Sequence, residues 1–201
     1  MIIIPEIETV VVLVPRTGSG SLRRALLAKY PKAFQIYRHM EADGVPAGYD
    51  RWRRVGVVRN PLDRLWSLYK FLQDFGGDYE PEYIQRVRNS VRCDFSDYIL
   101  FNETVFTDPH SRFGYPKFYP QYNVLHSLPE NYKSQFIYLR PDLGTDVFDY
   151  QEVEQLWRVL GLDPAAYRFN ATASAPVPKI SLAAEAHMSR VFEWDWSAIQ
   201  E

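Results

Sequence analysis

The sequence predicts a single-domain α/β fold: a mostly parallel central sheet flanked by helices. Three observations carry this expectation. Residues 9–14 and 54–58 are apolar, β-branched runs of strand length, as expected of strands covered on both faces. Each passes through a short turn straight into a helix start, and strands alternating with helices build parallel sheets. The 201 residues, 46% hydrophobic and 15% aromatic, suit one domain spanning 1–201 with its own core.

Taken in order, the strand at 9–14 is followed by a helix at 20–30, where Leu22, Ala25 and Leu26 fall at helical spacing. A second short strand is expected at 33–37 and a third at 54–58. Asn60 then caps a helix whose first residue is Pro61, with Asp63 in its first turn. Leu62, Leu65, Trp66, Tyr69 and Leu72 form its apolar stripe. Residues 81–91 and 95–101 read as helices, and the aromatic, proline-rich stretch 106–122 as an ordered loop layer. A late strand is expected at 135–139. An amphipathic helix at 151–160 is stopped by Gly161. A Pro/Ser/Ala-rich connection at 171–179 leads to a last helix, 182–192, capped by Ser181. There is no internal repeat, low-complexity tract or evident domain boundary.

The net charge of −2 argues against a general nucleic-acid binder. Yet Arg16, Arg23, Arg24, Arg51, Arg53, Arg54, Arg59 and Arg64 crowd the first third of the chain. A local positive site in a near-neutral chain suits a small anionic ligand. The single Cys93 excludes an intrachain disulfide and a multi-cysteine metal site. Pro5, Glu6 and Glu8 interrupt the early apolar residues, so no signal peptide is expected, and no apolar run reaches membrane-spanning length. The expectation is a soluble, cytoplasmic protein with no membrane partner.

Between the first strand and helix lies Pro15-Arg16-Thr17-Gly18-Ser19-Gly20-Ser21. Glycines let the backbone wrap an anion, so that successive N–H groups and the helix N-terminus point at it. Thr17, Ser19 and Ser21 add hydroxyl donors, and Arg16 a fixed positive charge. The loop is not a Walker A motif, which requires a Lys directly after its last glycine. A plain Gly/Ser turn capping a helix reads the same way. In the second segment, Arg59 ends a strand and Ser67 lies eight residues later on the next helix. At about 100° per residue, Asn60, Arg64, Ser67 and Phe71 share a face opposite the apolar stripe. An Arg at a strand end and a hydroxyl on the following helix can grip one phosphate from two sides. The alternative is that Arg64 and Ser67 simply form a solvent face.

Together these segments resemble the sulfotransferases that use 3′-phosphoadenosine 5′-phosphosulfate (PAPS). Pro15–Ser21 is similar to that family's P-[KR]-T/S-G-[ST]-x-S loop for the 5′-phosphosulfate. Arg59-Asn60-Pro61-Leu62-Asp63-Arg64-Leu65-Trp66-Ser67 is similar to its R-[ND]-P-x-x-R-x-x-S segment for the 3′-phosphate. The likeness continues through Leu68-Tyr69-Lys70-Phe71-Leu72 and is greatest to carbohydrate sulfotransferases of the heparan and uronyl 2-O type. His110 with Pro120-Gln121, residues 136–140 and residues 156–162 are weaker points of likeness. Two departures stand out: Arg16 where the family usually has Lys, and Gly20 at the second loop hydroxyl.

The resemblance implies a P-loop-like sulfotransferase fold and sulfuryl transfer from PAPS to a hydroxyl of a carbohydrate or small acceptor, releasing adenosine 3′,5′-bisphosphate. It implies that Arg16, Thr17, Gly18, Ser19, Gly20 and Ser21 hold the 5′ end, and Arg59 and Ser67 the 3′-phosphate. No metal is required, because arginines and amides neutralise the charge. Catalysis is expected to come from positioning and charge stabilisation, with Arg16 taking part. His39 is the expected general base, with Glu41 as the alternative. His110, Tyr119 and Tyr122 are expected at the acceptor. Two other readings are open at this point: a P-loop-like nucleoside or small-molecule kinase, and a catalytically inactive nucleotide-binding relative. A polyanion binder using Arg51–Arg54 is a third.

Overall fold

The computed structural model describes residues 1–36, 38–77, 79–103, 128–165 and 176–199. Strand β1 (Ile2–Ile4) is followed by a Pro5–Ile7 turn and β2 (Thr9–Val12). Glu8, at φ 47°, sits in the left-handed region between them and reverses the chain. Helix α1 (Ser19–Lys29), β3 (Phe34–Gln35) and β4 (Arg53–Val58) come next. Then follow α2 (Pro61–Gln73), α3 (Pro81–Asn89), α4 (Phe95–Phe101) and α5 (Gln135–Leu139). Strand β5 (Thr145–Asp149), α6 (Val153–Val159), α7 (Leu182–Val191) and α8 (Glu193–Ser197) complete the order. Among the described residues these form one α/β domain. No described helix is long and apolar enough to cross a membrane.

The sheet runs β3-β1-β2-β4-β5. β2, β4 and β5 are parallel, as expected, with Val11 opposite Val55 and Val55 opposite Asp146. The sheet as a whole is mixed rather than mostly parallel, because β1 pairs antiparallel with both β2 and β3. The sequence reading passed over β1. The tight turn after it permits only an antiparallel partner, since a parallel pair needs a long crossover.

The side-chain period of two divides the core between the sheet's faces. Ile2, Ile4, Val11, Leu13, Val55 and Val57 pack with Leu22, Ala25 and Leu26 of α1 and Leu156 and Trp157 of α6. On the other face, Val12, Val14 and Val58 meet Tyr138 and Leu139 of α5. Helices α2, α3, α4 and α7 share a further cluster around Leu65, Leu68, Val87, Tyr98 and Met188.

The expected strand at 135–139 is helix α5, and the late strand lies further on, at β5. A five-residue apolar run carries no decisive period. Here Ser134 Oγ accepts from the Phe136 N–H at 3.1 Å and starts a helix. Gly56 of β4 makes room for it: a Cβ there would collide with Leu139 Cδ2. The two expected caps are present. Asn60 Oδ1 accepts from the N–H groups of Leu62 (3.1 Å) and Asp63 (3.2 Å), and Ser181 Oγ from that of Ala184 (3.3 Å). The loop layer at 106–122 and residues 171–175 of the last connection lie outside the described residues.

Candidate functional site at the carboxyl edge of the sheet

Three parallel strands end side by side, so the loops after β2, β4 and β5 share one edge. β3, antiparallel to β1, points the same way and delivers Arg38 and His39 to that edge. In open α/β sheets this is where ligands bind.

The loop after β2 is wound tightly. Thr17 Oγ1 donates to the Val14 carbonyl at 3.0 Å, and only 3% of Thr17 is exposed. Its hydroxyl therefore holds the turn rather than serving as the expected ligand donor. Gly18, at φ 76°, precedes α1, and its carbonyl accepts from the N–H groups of Ser21 (3.1 Å) and Leu22 (3.2 Å). Gly18 is exposed, Gly20 and Ser21 are half-buried, and Ser19 is buried. No side chain caps α1, which leaves its N-terminal end to polarise whatever lies before it.

Arg16 itself has φ 68°, a conformation costing a non-glycine residue about 1 kcal/mol or more. Two contacts hold it there. Ser67 Oγ accepts from Arg16 Nε at 3.1 Å and Nη2 at 3.0 Å, and the Arg16 carbonyl accepts from Arg59 Nη1 at 2.9 Å. The guanidinium also lies 4.8 Å from the Phe71 ring centroid. The two segments singled out in the sequence therefore touch, and Arg16 is the residue that joins them. Burial, then the charges of Arg59 and Arg38, push its guanidinium below its ordinary pKa, against an opposing effect of Tyr150.

Arg59 lies over Tyr150, 4.7 Å from its ring centroid. Its backbone is gripped by Gln135, whose Oε1 accepts from the Arg59 N–H (3.0 Å) and whose Nε2 donates to its carbonyl (2.7 Å). Gln135 Nε2 and its backbone N–H in turn donate to Asp195 Oδ1, at 2.6 and 2.9 Å. Burial raises the Asp195 carboxyl above its ordinary value, while Arg64 and these hydrogen bonds oppose the rise. A carboxamide of α5 thus pairs with the end of β4 much as a neighbouring strand would.

Two sequence expectations are corrected here. Arg64, placed by helical spacing on the face opposite the apolar stripe with solvent exposure as the alternative, is fully buried: its Nη1 donates to Glu130 Oε2 at 2.7 Å and its Nη2 to the Lys133 carbonyl at 3.0 Å. Glu130 also accepts from the Tyr138 hydroxyl at 2.6 Å. Glu41, the alternative base, is likewise fully buried, and its Oε1 accepts from Lys133 Nζ at 2.8 Å. A carboxylate committed to a buried lysine side chain is held away from an acceptor; its contacts are structural.

His39 sits at the expected sheet edge. Its Nδ1 is 2.6 Å from the Leu13 carbonyl, which assigns the ring proton to Nδ1 and the lone pair to Nε2. Burial lowers its pKa to about 3; the Leu13 bond opposes this, while Arg38, the terminal amine and Lys133 add to it. His187 is buried against Asn131 and Tyr132. His110, Tyr119 and Tyr122 lie outside the described residues.

Sequence reasoning missed Arg38, Tyr150, Gln135 and Asp195. Tyr150 follows β5, which lies later in the chain than the expected late strand; Gln135 and Asp195 act through contacts that span 76 and 60 positions, and Arg38 meets the loop only across the space beside Gly20. Among the described residues there is no group of three or more His, Cys, Asp or Glu side chains able to hold a metal ion. In comparisons with known proteins, no family model, no curated protein and no solved structure matches this chain.

Proposed function

We propose that this protein is a PAPS-dependent sulfotransferase acting on a hydroxyl of a carbohydrate or small acceptor. The observation that carries the reading is the junction of the two motif segments: Arg16 bonds Ser67, and Arg59 bonds the Arg16 backbone. A donor with phosphate groups at both ends of one nucleoside needs such a pair of neighbouring cationic positions. Arg16 and the amides of Gly18, Ser19 and Gly20 face the 5′ side in this reading, the Ser21 N–H being taken by the Gly18 carbonyl, and Arg59 and Ser67 face the 3′-phosphate. Tyr150 and Phe71 supply flat surfaces beside the two guanidinium groups.

In the reaction the acceptor oxygen forms a bond to sulfur while the bond from sulfur to the 5′-phosphate oxygen breaks. The electron pair leaves on adenosine 3′,5′-bisphosphate. The acceptor proton goes to the lone pair on His39 Nε2. Part of what depresses His39 is the positive charge of Arg38 and Lys133. An anion bound beside Arg38 offsets that charge and raises the basicity of His39 when the donor is present.

A second reading keeps the nucleotide and loses the turnover. The structural role of Glu41 and the low basicity of His39 favour it. Calorimetric titration with adenosine 3′,5′-bisphosphate, with 5′-AMP and ADP plus magnesium as controls, separates these readings. Binding that needs the 3′-phosphate and is lost in Arg59→Ala supports the donor site; a preference for ADP with magnesium replaces it with the kinase reading. Sulfation of hydroxylated acceptors by wild type but not His39→Gln then separates enzyme from binding protein.

A further inference from the structure

Arg16 and Arg59 have a third cationic neighbour, absent from both motifs. Arg38 leaves the end of β3 beside His39 and crosses to the first turn of α1. Its Nη2 lies 3.6 Å from where a Cβ on Gly20 would stand. Its Nε is buried and has no hydrogen-bond partner among the described residues. The Nε of Arg59 is in the same condition. None of the three arginines takes part in an ion pair among the described residues, whereas Arg53, Arg64, Arg140 and Arg158 all do.

Buried guanidinium N–H groups left without acceptors are costly, and like charges packed together add to the cost. Such a cluster is stabilised by an anion carrying several charges. At position 20 the first turn of α1 lies open to the third guanidinium: a Cβ there would stand in ordinary contact with Arg38 Nη2.

We propose that Arg38 is a third anion-binding residue of this site, directed at the diphosphate-like, 5′ end of the ligand. Its claim on the nucleotide rests on the sulfotransferase reading; its claim on a multiply charged diphosphate-type group does not. Arg38 therefore contributes where Arg59 does not, and the two residues divide the ligand between them.

The test is calorimetry on the full chain with four probes: inorganic pyrophosphate, adenosine 3′,5′-bisphosphate, 5′-AMP and 3′-AMP. The variants are Arg38→Ala, Arg38→Lys, Arg59→Ala and, as a control, Arg51→Ala, an exposed position just before β4. Thermal unfolding of each variant verifies folding. Arg38→Ala is expected to weaken pyrophosphate, 5′-AMP and the bisphosphate by about tenfold or more, and 3′-AMP by less than about twofold. Arg38→Lys is expected to recover part of the loss and Arg51→Ala to lose none. If pyrophosphate depends on Arg38 while the bisphosphate does not bind, the anion site stands and the sulfotransferase reading falls. Bisphosphate binding that ignores Arg38 overturns this inference and leaves that reading intact. Failure of wild type to bind any of the four overturns both.

Discussion

His39 is the residue whose surroundings matter most. Its imidazole is held by the Leu13 carbonyl and kept neutral by burial and by the charges of Arg38, the terminal amine and Lys133. Its folded pKa of about 3 is below the ordinary value of 6.5. Between those values the unfolded chain takes up a proton that the folded chain does not. This contribution to stability is therefore complete above about pH 6.5 and is lost as the pH falls towards 3, with a slope of up to about 1.4 kcal/mol per pH unit. Asp195, raised by burial, acts in the opposite sense just above the ordinary aspartate range. Urea unfolding followed downward from neutral pH is expected to give a flatter profile in His39→Gln than in wild type; coincident profiles would mean that His39 titrates normally. Of the site residues, Arg16, Arg59 and Ser67 were legible in the sequence because strand-end and helix-start positions have fixed directions. The status of Arg64 and Glu41 was not. A helical wheel assigns faces relative to one neighbour, and Glu130 and Lys133, which bury these two charges, lie 66 and 92 positions away.

At the scale of elements, the short helix α5 decides more than its length implies. It lies across β4 at Gly56, covers the sheet with Tyr138 and Leu139, and brings Gln135 to the backbone of Arg59. Gly56→Ala is expected to cost about 1–3 kcal/mol by overpacking against Leu139. Because α5 carries Gln135, the same change is expected to weaken anion binding at Arg59. In the Gly56→Ala/Leu139→Ala pair the collision is removed, so the stability loss in chemical denaturation should be smaller than the sum of the single losses. An additive cycle would show that the two side chains do not meet. The sequence could not place α5, because a run of five residues fits either period and its helical state depends on the space above Gly56. Longer elements were read to within a few residues. α2 has a cap, a proline at its first position and a sustained stripe, and α7 has its Ser181 cap.

At the scale of the whole molecule, the site is assembled from four chain segments that share one edge of the sheet. A ligand held by all of them is expected to stabilise the domain as a unit. Adenosine 3′,5′-bisphosphate at about a hundred times its Kd adds about 2.7 kcal/mol, which for a chain of this size raises Tm by about 5–10 °C. Calorimetric scans should show that shift in wild type and lose it in Arg59→Ala; an unchanged wild-type midpoint counts against a folded donor site. The sequence by itself determined the α/β class, the parallel strand–turn–helix pairs at its centre, and the positions of the two basic segments. These follow from local rules: period, capping and the glycine content of turns. Only the tertiary structure decided that β1 makes the sheet mixed, that residues 135–139 are a helix, and that Arg64 and Glu41 belong to a buried ionic network. It alone brought Arg38 beside the loop. The physical reason is common to all four. Each depends on which distant groups share a space, and burial, ion pairing and strand partnership are properties of that space rather than of the residues that enter it.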